Sequence, residues 1–199
     1  MAGIGQKLRN LRRARGLTQD ELAARLHVTR QALSRWERDD AQPSLEMLQA
    51  VALELGTPAR ELMLPTQSPE EVIMTNEDTY GAEARERWGD DVVDASNRKL
   101  EAMSADEWSA RSLLEESIKV QLRIAMATGD PQGSEAEELC HLHARWIKMH
   151  WPDGRYSPAA HLGLAHGYLC DDRFRSYYDT AAGAGATEFL VAALESWLA

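Results

Sequence analysis

The stretch TQDELAARLHVTRQALSRWE, from Thr18 to Glu37, decides the N-terminal fold. Thr18 followed three residues later by Glu21 is a capping box, which opens a helix by satisfying two orphan backbone donors reciprocally. Leu22, Ala23 and Leu26 share that helix's inward face. Thr29 can cap a second helix, whose buried side is Val28, Ala32, Leu33 and Trp36. Gln31, Ser34, Arg35 and Arg38 fall on the opposite face, with Arg30 beside them at the helix start. Arg pairs bidentately with guanine O6 and N7, and Gln with adenine N6 and N7. A small helical hairpin with a solvated polar face would also turn charge outward. Caps, turn and base-reading residue types agree over one continuous stretch, and that agreement favours a DNA-reading helix.

The flanking sequence completes a domain. Ile4, Leu8 and Leu11 follow helical spacing, and Gly16 ends that first helix. Pro43 and Ser44 start a fourth, with a stripe of Leu45, Leu48, Ala52 and Leu55, and Gly56 stops it. A short fifth helix is predicted over Pro58–Met63. The second and third helices then form a helix-turn-helix whose second member enters the major groove. Five helices in this space resemble the lambda-repressor-like, XRE-type regulators. Gln19, the run Arg30-Gln31-Ala32-Leu33-Ser34-Arg35-Trp36-Glu37, and Pro43 carry the resemblance. It implies that Gln19 touches a backbone phosphate. The expected roles are base reading for Arg30, Gln31 and Arg35, with Ser34 adjacent, and phosphate contact for Gln19 and Thr29.

A chain of 199 residues has room for two small domains. Residues 1–65 hold 10 Lys or Arg against 8 Asp or Glu; residues 66–199 hold the other 12 against 24. The second part therefore repels phosphate, which orients docking and argues against a second nucleic-acid site there. Cys140 and Cys170 sit in apolar helical contexts and make no disulfide framework. There is no N-terminal signal pattern and no apolar run near 18 residues, so a cytoplasmic or nucleoid-associated protein without a membrane partner is expected.

Residues 66–76 contain prolines and polar residues and read as a linker between a DNA-binding domain at 1–65 and a second domain at 77–199. That second domain shows almost no strand signal. Ser104 with Glu107 is a capping box, opening a helix with Leu114, Ile118, Leu122 and Ala125 on one face. Ser134 with Glu137 reads as another, and the helix after it lines up Leu139, His143, Trp146 and His150. Ser157 and Pro158 suit N-cap and N1, and His161, Leu164, Ala165 and Tyr168 follow. Asp171 can cap a helix carrying Phe174, Tyr177 and Tyr178. Gly183 and Gly185 break the chain before a terminal helix with Phe189, Leu190, Ala193, Leu194 and Trp197. The fold class is all-α. Stripes mixing aromatics with His suit either a hydrogen-bonded core or a small-molecule pocket, and as a set they favour the pocket.

Tyr80-Gly81, Arg87-Trp88-Gly89, Trp108, His143-Ala144-Arg145-Trp146-Ile147, Tyr156-Ser157, His161, Leu164, Tyr168, Asp171-Asp172-Arg173-Phe174 and Tyr178-Asp179 together resemble the TipAS antibiotic-recognition domain, in order, from about residue 77 to 196. The resemblance implies a globin-like helical domain that binds hydrophobic, often peptide-derived antibiotics in a deep cleft. Family members usually carry a MerR-type head and a coiled coil; here the head is XRE-type and no heptad segment joins the halves. Some relatives capture electrophilic ligands with a cysteine two residues after the His matching His161. Gly163 stands there, so reversible binding is expected.

The ligand site expected from these residues is Tyr80, Trp88, Trp108, His143, Trp146, His150, His161, Leu164 and Tyr168. Residues 77–100 carry dense charge and few large apolar side chains, and read as a mobile lid in the free protein. The histidine spacings give no metal pair, and no constellation for nucleophilic catalysis is present, so no cofactor, no metal and no enzyme activity are expected. The combined reading is a homodimeric regulator binding an operator in double-stranded DNA and sensing a hydrophobic antibiotic or related small molecule, as in multidrug resistance. The alternative is a protein that sequesters the drug without specific regulation.

Overall fold

The computed structural model describes residues 4–59, 62 and 67–198. The described residues form eleven α-helices and no strand. None of these helices is long and apolar enough to cross a membrane. The chain divides into two compact units, Met1–Gln67 and Ser68–Ala199.

The first unit contains α1 (Gly5–Ala14), α2 (Gln19–Arg25), α3 (Arg30–Glu37) and α4 (Leu45–Leu55). Thr18 and Glu21 make the expected capping box, and Thr29 and Ser44 cap α3 and α4 through their side chains. The core is Leu8, Leu11, Leu22, Ala23, Leu26, Leu33, Trp36, Val51, Ala52, Leu55 and Leu62. Leu45 departs from the expected stripe: it is exposed, and Val51 occupies the interior instead. A residue in the first turn of a helix has no preceding turn to lean over, so it reaches the core poorly. Gly5 permits the close approach of α1 to α3, because a Cβ there would stand 2.5 Å from the Trp36 carbonyl oxygen. The expected fifth helix, Pro58–Met63, falls partly outside the described residues; within it Ala59 and Leu62 are helical, and Leu62 is wholly buried.

The second unit contains α5 (Pro69–Trp88), α6 (Asp90–Glu101), α7 (Ala105–Thr128), α8 (Ser134–His150), α9 (Pro158–Leu169), α10 (Asp172–Ala182) and α11 (Ala186–Leu198). Part of the expected linker at 66–76 is helix, since Pro69–Asn76 belong to α5. Ser68 caps it, Glu71 completes the capping box and Pro69 sits at the first helical position. Ser104 with Glu107 opens α7 as expected, and Ser157 and Asp171 cap α9 and α10. The expected box at Ser134 does not form. Gly133 is the N-cap of α8, and Ser134 turns its hydroxyl to Glu135.

The hydrophobic core lies among α7 to α11, with Leu122, Leu139, Leu190 and Leu194 fully enclosed. The pair α5–α6 contributes little to it; its buried residues are Val72, Gly81 and Leu100. Charge ties the pair in place instead. Arg85 contacts Glu77, Asp90 and Asp94. Arg173 reaches from α10 to the Thr79 carbonyl and Glu83. From α6, Ser96 donates to the carbonyl of His150, and Lys99 to those of Lys148 and Trp151.

Candidate functional site

Two surfaces stand out, one in each unit. In the first, α3 turns Gln31 and Arg35 outward. Both side chains are exposed and neither makes a hydrogen bond or ion pair among the described residues. Arg30 is exposed, 3.6 Å from Asp20. Ser34 is half-buried and accepts from Arg38. Thr29 Oγ1 accepts from the Ala32 N–H at 3.1 Å, which leaves its hydroxyl proton available for an outside acceptor. Gln19 donates from Nε2 to Glu37 Oε2 at 2.8 Å, and so is held in place at the start of α2.

Glu37 organises this surface, and the sequence reading gave it no role. Its carboxylate is buried and accepts from Arg12 Nε at 2.6 Å and Arg12 Nη2 at 3.0 Å as well as from Gln19. Arg9 donates to its backbone carbonyl. One acid thus joins α1, α2 and α3. A shallow cleft around it is lined by Arg9, Arg13, Arg30 and Arg38. The signal available in the sequence was a single carboxylate closing a strongly basic segment.

In the second unit a cavity of about 460 Å3 opens between α5, α6, α9 and the segment following α8. Its wall is mainly apolar: Tyr80, Ala84, Trp88, Val92, Val93, Leu100, Trp151, Pro152, Leu164, Tyr168 and Phe174. Tyr80 stacks on Phe174 with centroids 5.2 Å apart, and the Arg173 guanidinium carbon lies 4.7 Å from the centre of the Tyr80 ring. Trp88 is exposed at the rim, with Arg87 5.0 Å from its ring. An apolar cleft of this volume with a few polar groups is what small-molecule sites look like.

Residues 80–197 match the TipAS antibiotic-recognition domain family. The chain belongs to this family. Residues 8–62 match the helix-turn-helix family, so an XRE-type head precedes the TipAS unit. Relatives resemble the head. The HTH-type transcriptional activator BcrR of Enterococcus faecalis is 36% identical over 60 residues, 30% of this chain and 29% of that protein. The immunity repressor protein of Bacillus phage phi105 is 43% identical over 53 residues, 27% of this chain and 37% of that protein. An uncharacterized HTH-type transcriptional regulator, y4dJ, of Sinorhizobium fredii is 40% identical over 63 residues, 32% of this chain and 82% of that protein. The chain thus spans about a third of the length of the first two. No solved structure matches it.

Of the expected ligand residues, the TipAS cavity gathers Tyr80, Trp88, His150, Leu164 and Tyr168. It does not gather Trp108, His143, Trp146 or His161. His143 and His161 are fully enclosed. His143 Nδ1 lies 2.7 Å from His161 Nε2, and its Nε2 lies 3.0 Å from the Tyr178 hydroxyl. His161 Nδ1 lies 3.4 Å from the Tyr156 hydroxyl. Burial pushes His143 down to about 3, helped by His161 and His150. Burial pushes His161 down to about 4, helped by Lys148. Both are enclosed and hydrogen-bonded, away from the wall of this cavity, so it does not bring them together with the other expected ligand residues. Trp108 and Trp146 instead hold the buried Arg111, 4.6 and 4.4 Å from its guanidinium carbon. His150 does reach the cavity, but Nδ1 is spent on the Trp146 carbonyl at 2.7 Å and Nε2 faces Arg111 Nε at 3.2 Å.

Among the cavity-wall residues absent from the expected ligand site are Phe174, Trp151, Pro152, Val92, Val93 and Arg155. Gly163 is exposed on α9. Cys140 is buried, and that burial pushes its thiol up to about 12. Cys170 is exposed, contrary to the expected apolar context, and is not on the cavity wall.

Proposed function

We propose that this chain is a DNA-binding transcription regulator that senses a hydrophobic antibiotic or related small molecule through its TipAS unit. One observation carries the reading. A helix-turn-helix head with uncommitted Gln31 and Arg35 on α3 shares a chain with a unit that holds an apolar, aromatic cavity of small-molecule size. The names of the relatives support the first half, since one is a transcriptional activator, one a repressor and one a transcriptional regulator by name. The TipAS family match supports the second.

In this reading Gln31, Arg35 and Arg30 read base edges. Gln19, fixed by Glu37, and Thr29, with its free hydroxyl proton, meet phosphates. A single head covers one half-site, so the working form is a homodimer on a pseudo-palindrome, with half-site centres about 34 Å apart or a multiple of that. Tyr80, Trp88, Leu164, Tyr168 and Phe174 supply flat apolar contact to the ligand at low entropy cost. The test is selection of binding sites by the full chain from random duplex DNA, followed by a thermal-shift screen against hydrophobic antibiotics. Enrichment of a two-fold site together with a ligand-raised melting temperature is the expected result. Failure to enrich any sequence would leave only a drug-sequestering protein.

A further inference from the structure

We propose that the TipAS cavity selects flat aromatic ligands that carry an acidic group, and that Arg155 at its wall is the residue that holds that group. This rests on the reading of the cavity as a ligand site. The wall is apolar except at a few positions, and most of those are already occupied. Glu77 accepts from Arg85 Nη2 and Asn97 Nδ2, both at 2.7 Å. His150 has both ring nitrogens engaged, and the Ser96 hydroxyl proton goes to the His150 carbonyl. Arg155 differs. Its side chain is exposed at the cavity wall and makes no ion pair or hydrogen bond among the described residues; the Asn76 amide, also exposed on the wall, makes none either but carries no charge.

The backbone beneath Arg155 is nevertheless well held. Lys99 Nζ donates to the Lys148 and Trp151 carbonyls at 3.0 and 2.9 Å, which anchors the segment after α8. The Arg155 N–H donates to the Pro152 carbonyl at 3.2 Å, closing a turn in which Gly154 takes a left-handed φ of +77°. Asp153, the nearest carboxylate in sequence, is paired with Lys99 at 2.7 Å and does not neutralise the guanidinium. The arrangement is a fixed stem with an unspent planar cation next to a mainly apolar wall.

A guanidinium fork matches the paired oxygens of a carboxylate, sulfonate or phosphate. The carboxylate on the wall, Glu77, is already paired with Arg85 and Asn97, and acidic groups farther away than roughly 8 Å are screened at physiological salt. An aromatic ligand with no charge gains nothing from Arg155; one with an acidic end gains a charge-assisted contact.

Two probes with one aromatic frame test this on the full chain: 1-anilinonaphthalene-8-sulfonate, which is anionic, and N-phenyl-1-naphthylamine, which is neutral. Fluorescence titration gives a dissociation constant for each. Arg155→Gln should weaken the sulfonate probe about tenfold, the scale of one lost charge-assisted hydrogen bond, and change the neutral probe less than about twofold. Arg155→Lys should retain part of the difference. Ala84→Trp and Leu164→Trp fill the cavity from opposite sides, and each should abolish binding of both probes. If the filling variants abolish binding while Arg155→Gln leaves the sulfonate probe unchanged, or if wild type does not bind that probe, the anionic selectivity is overturned and the cavity stands as a site for neutral ligands. If both filling variants bind both probes normally, the cavity reading itself fails and this proposal falls with it.

Discussion

At the scale of the residue, two buried polar groups govern stability. Glu37 takes two hydrogen bonds from Arg12 and one from Gln19 in the interior of the first unit. Removing its charge leaves a buried guanidinium without its counter-ion, which costs about 3 kcal/mol. We expect Glu37→Gln to lower hydrogen-exchange protection across α1–α3 about a hundredfold in the full chain; unchanged protection would contradict the assignment. His143 and His161 act in the opposite electrostatic sense. Both ionise near 6.5 in the unfolded chain but only near 3 to 4 in the folded one, because burial disfavours the cation. Above pH 6.5 both states are neutral and the pair costs nothing. Below it the unfolded state gains protons that the folded state refuses, so stability falls as pH falls. The two together should remove about 3 kcal/mol between pH 7.5 and 5.5. Urea unfolding followed by tryptophan fluorescence, at pH 7.5 and 5.5, measures it, and the double variant His143→Gln/His161→Gln should reduce the dependence, leaving the part due to His150, which burial also pushes down to about 4. An equal slope in that variant would sink the explanation. These residues also mark a limit of sequence reading. Helical periodicity says that a side chain points inward, and it does so equally for a core contact and a cavity wall. His143 and Leu164 both pass that test, yet only Leu164 reaches the cavity.

At the scale of the element, α3 was legible because its caps, its buried Leu33 and Trp36 and its outward Gln31 and Arg35 all follow from local spacing. We expect Arg35→Ala to relax base preference at one operator position by about 1–3 kcal/mol. An anisotropy series over single-base variants of a selected site checks this, and retained preference at every position would misplace the recognition helix. The pair α5–α6 was less legible. Pro and polar residues before Glu77 suggested a linker, although Ser68, Pro69 and Glu71 form a complete helix-start signal. The dense charge of 77–100, first read as a sign of mobility, is used to tie helices together through Arg85 and Arg173. Partly exposed ion pairs are worth about 0–1 kcal/mol each, which is small beside about 1–2 kcal/mol of backbone entropy per ordered residue. With Gly81 and Leu100 the buried residues of 77–100, this pair should open most easily. A bound ligand adds apolar contact to Tyr80, Trp88 and Val93. Exchange protection across α5–α6 should therefore be low in the free protein and rise sharply with ligand, whereas equal protection in both states would mean a preformed pocket.

At the scale of the whole molecule, the division of labour follows the charge. The basic residues of the first 38 positions gather on the helix-turn-helix head, while the TipAS unit carries the acidic excess and keeps away from phosphate. The helices of both units were largely legible from the sequence, because each cap and stripe is local. What passes between them was not, since coupling depends on states that a single sequence pattern does not encode. The central claim is that occupancy of the cavity changes affinity for DNA. Operator affinity of the full chain, measured with and without a saturating cavity ligand from the thermal-shift screen, tests it most directly. A coupling of about 1–3 kcal/mol predicts a 5- to 150-fold change in dissociation constant, absent in Ala84→Trp. The same operator affinity with the cavity empty and filled would contradict the account.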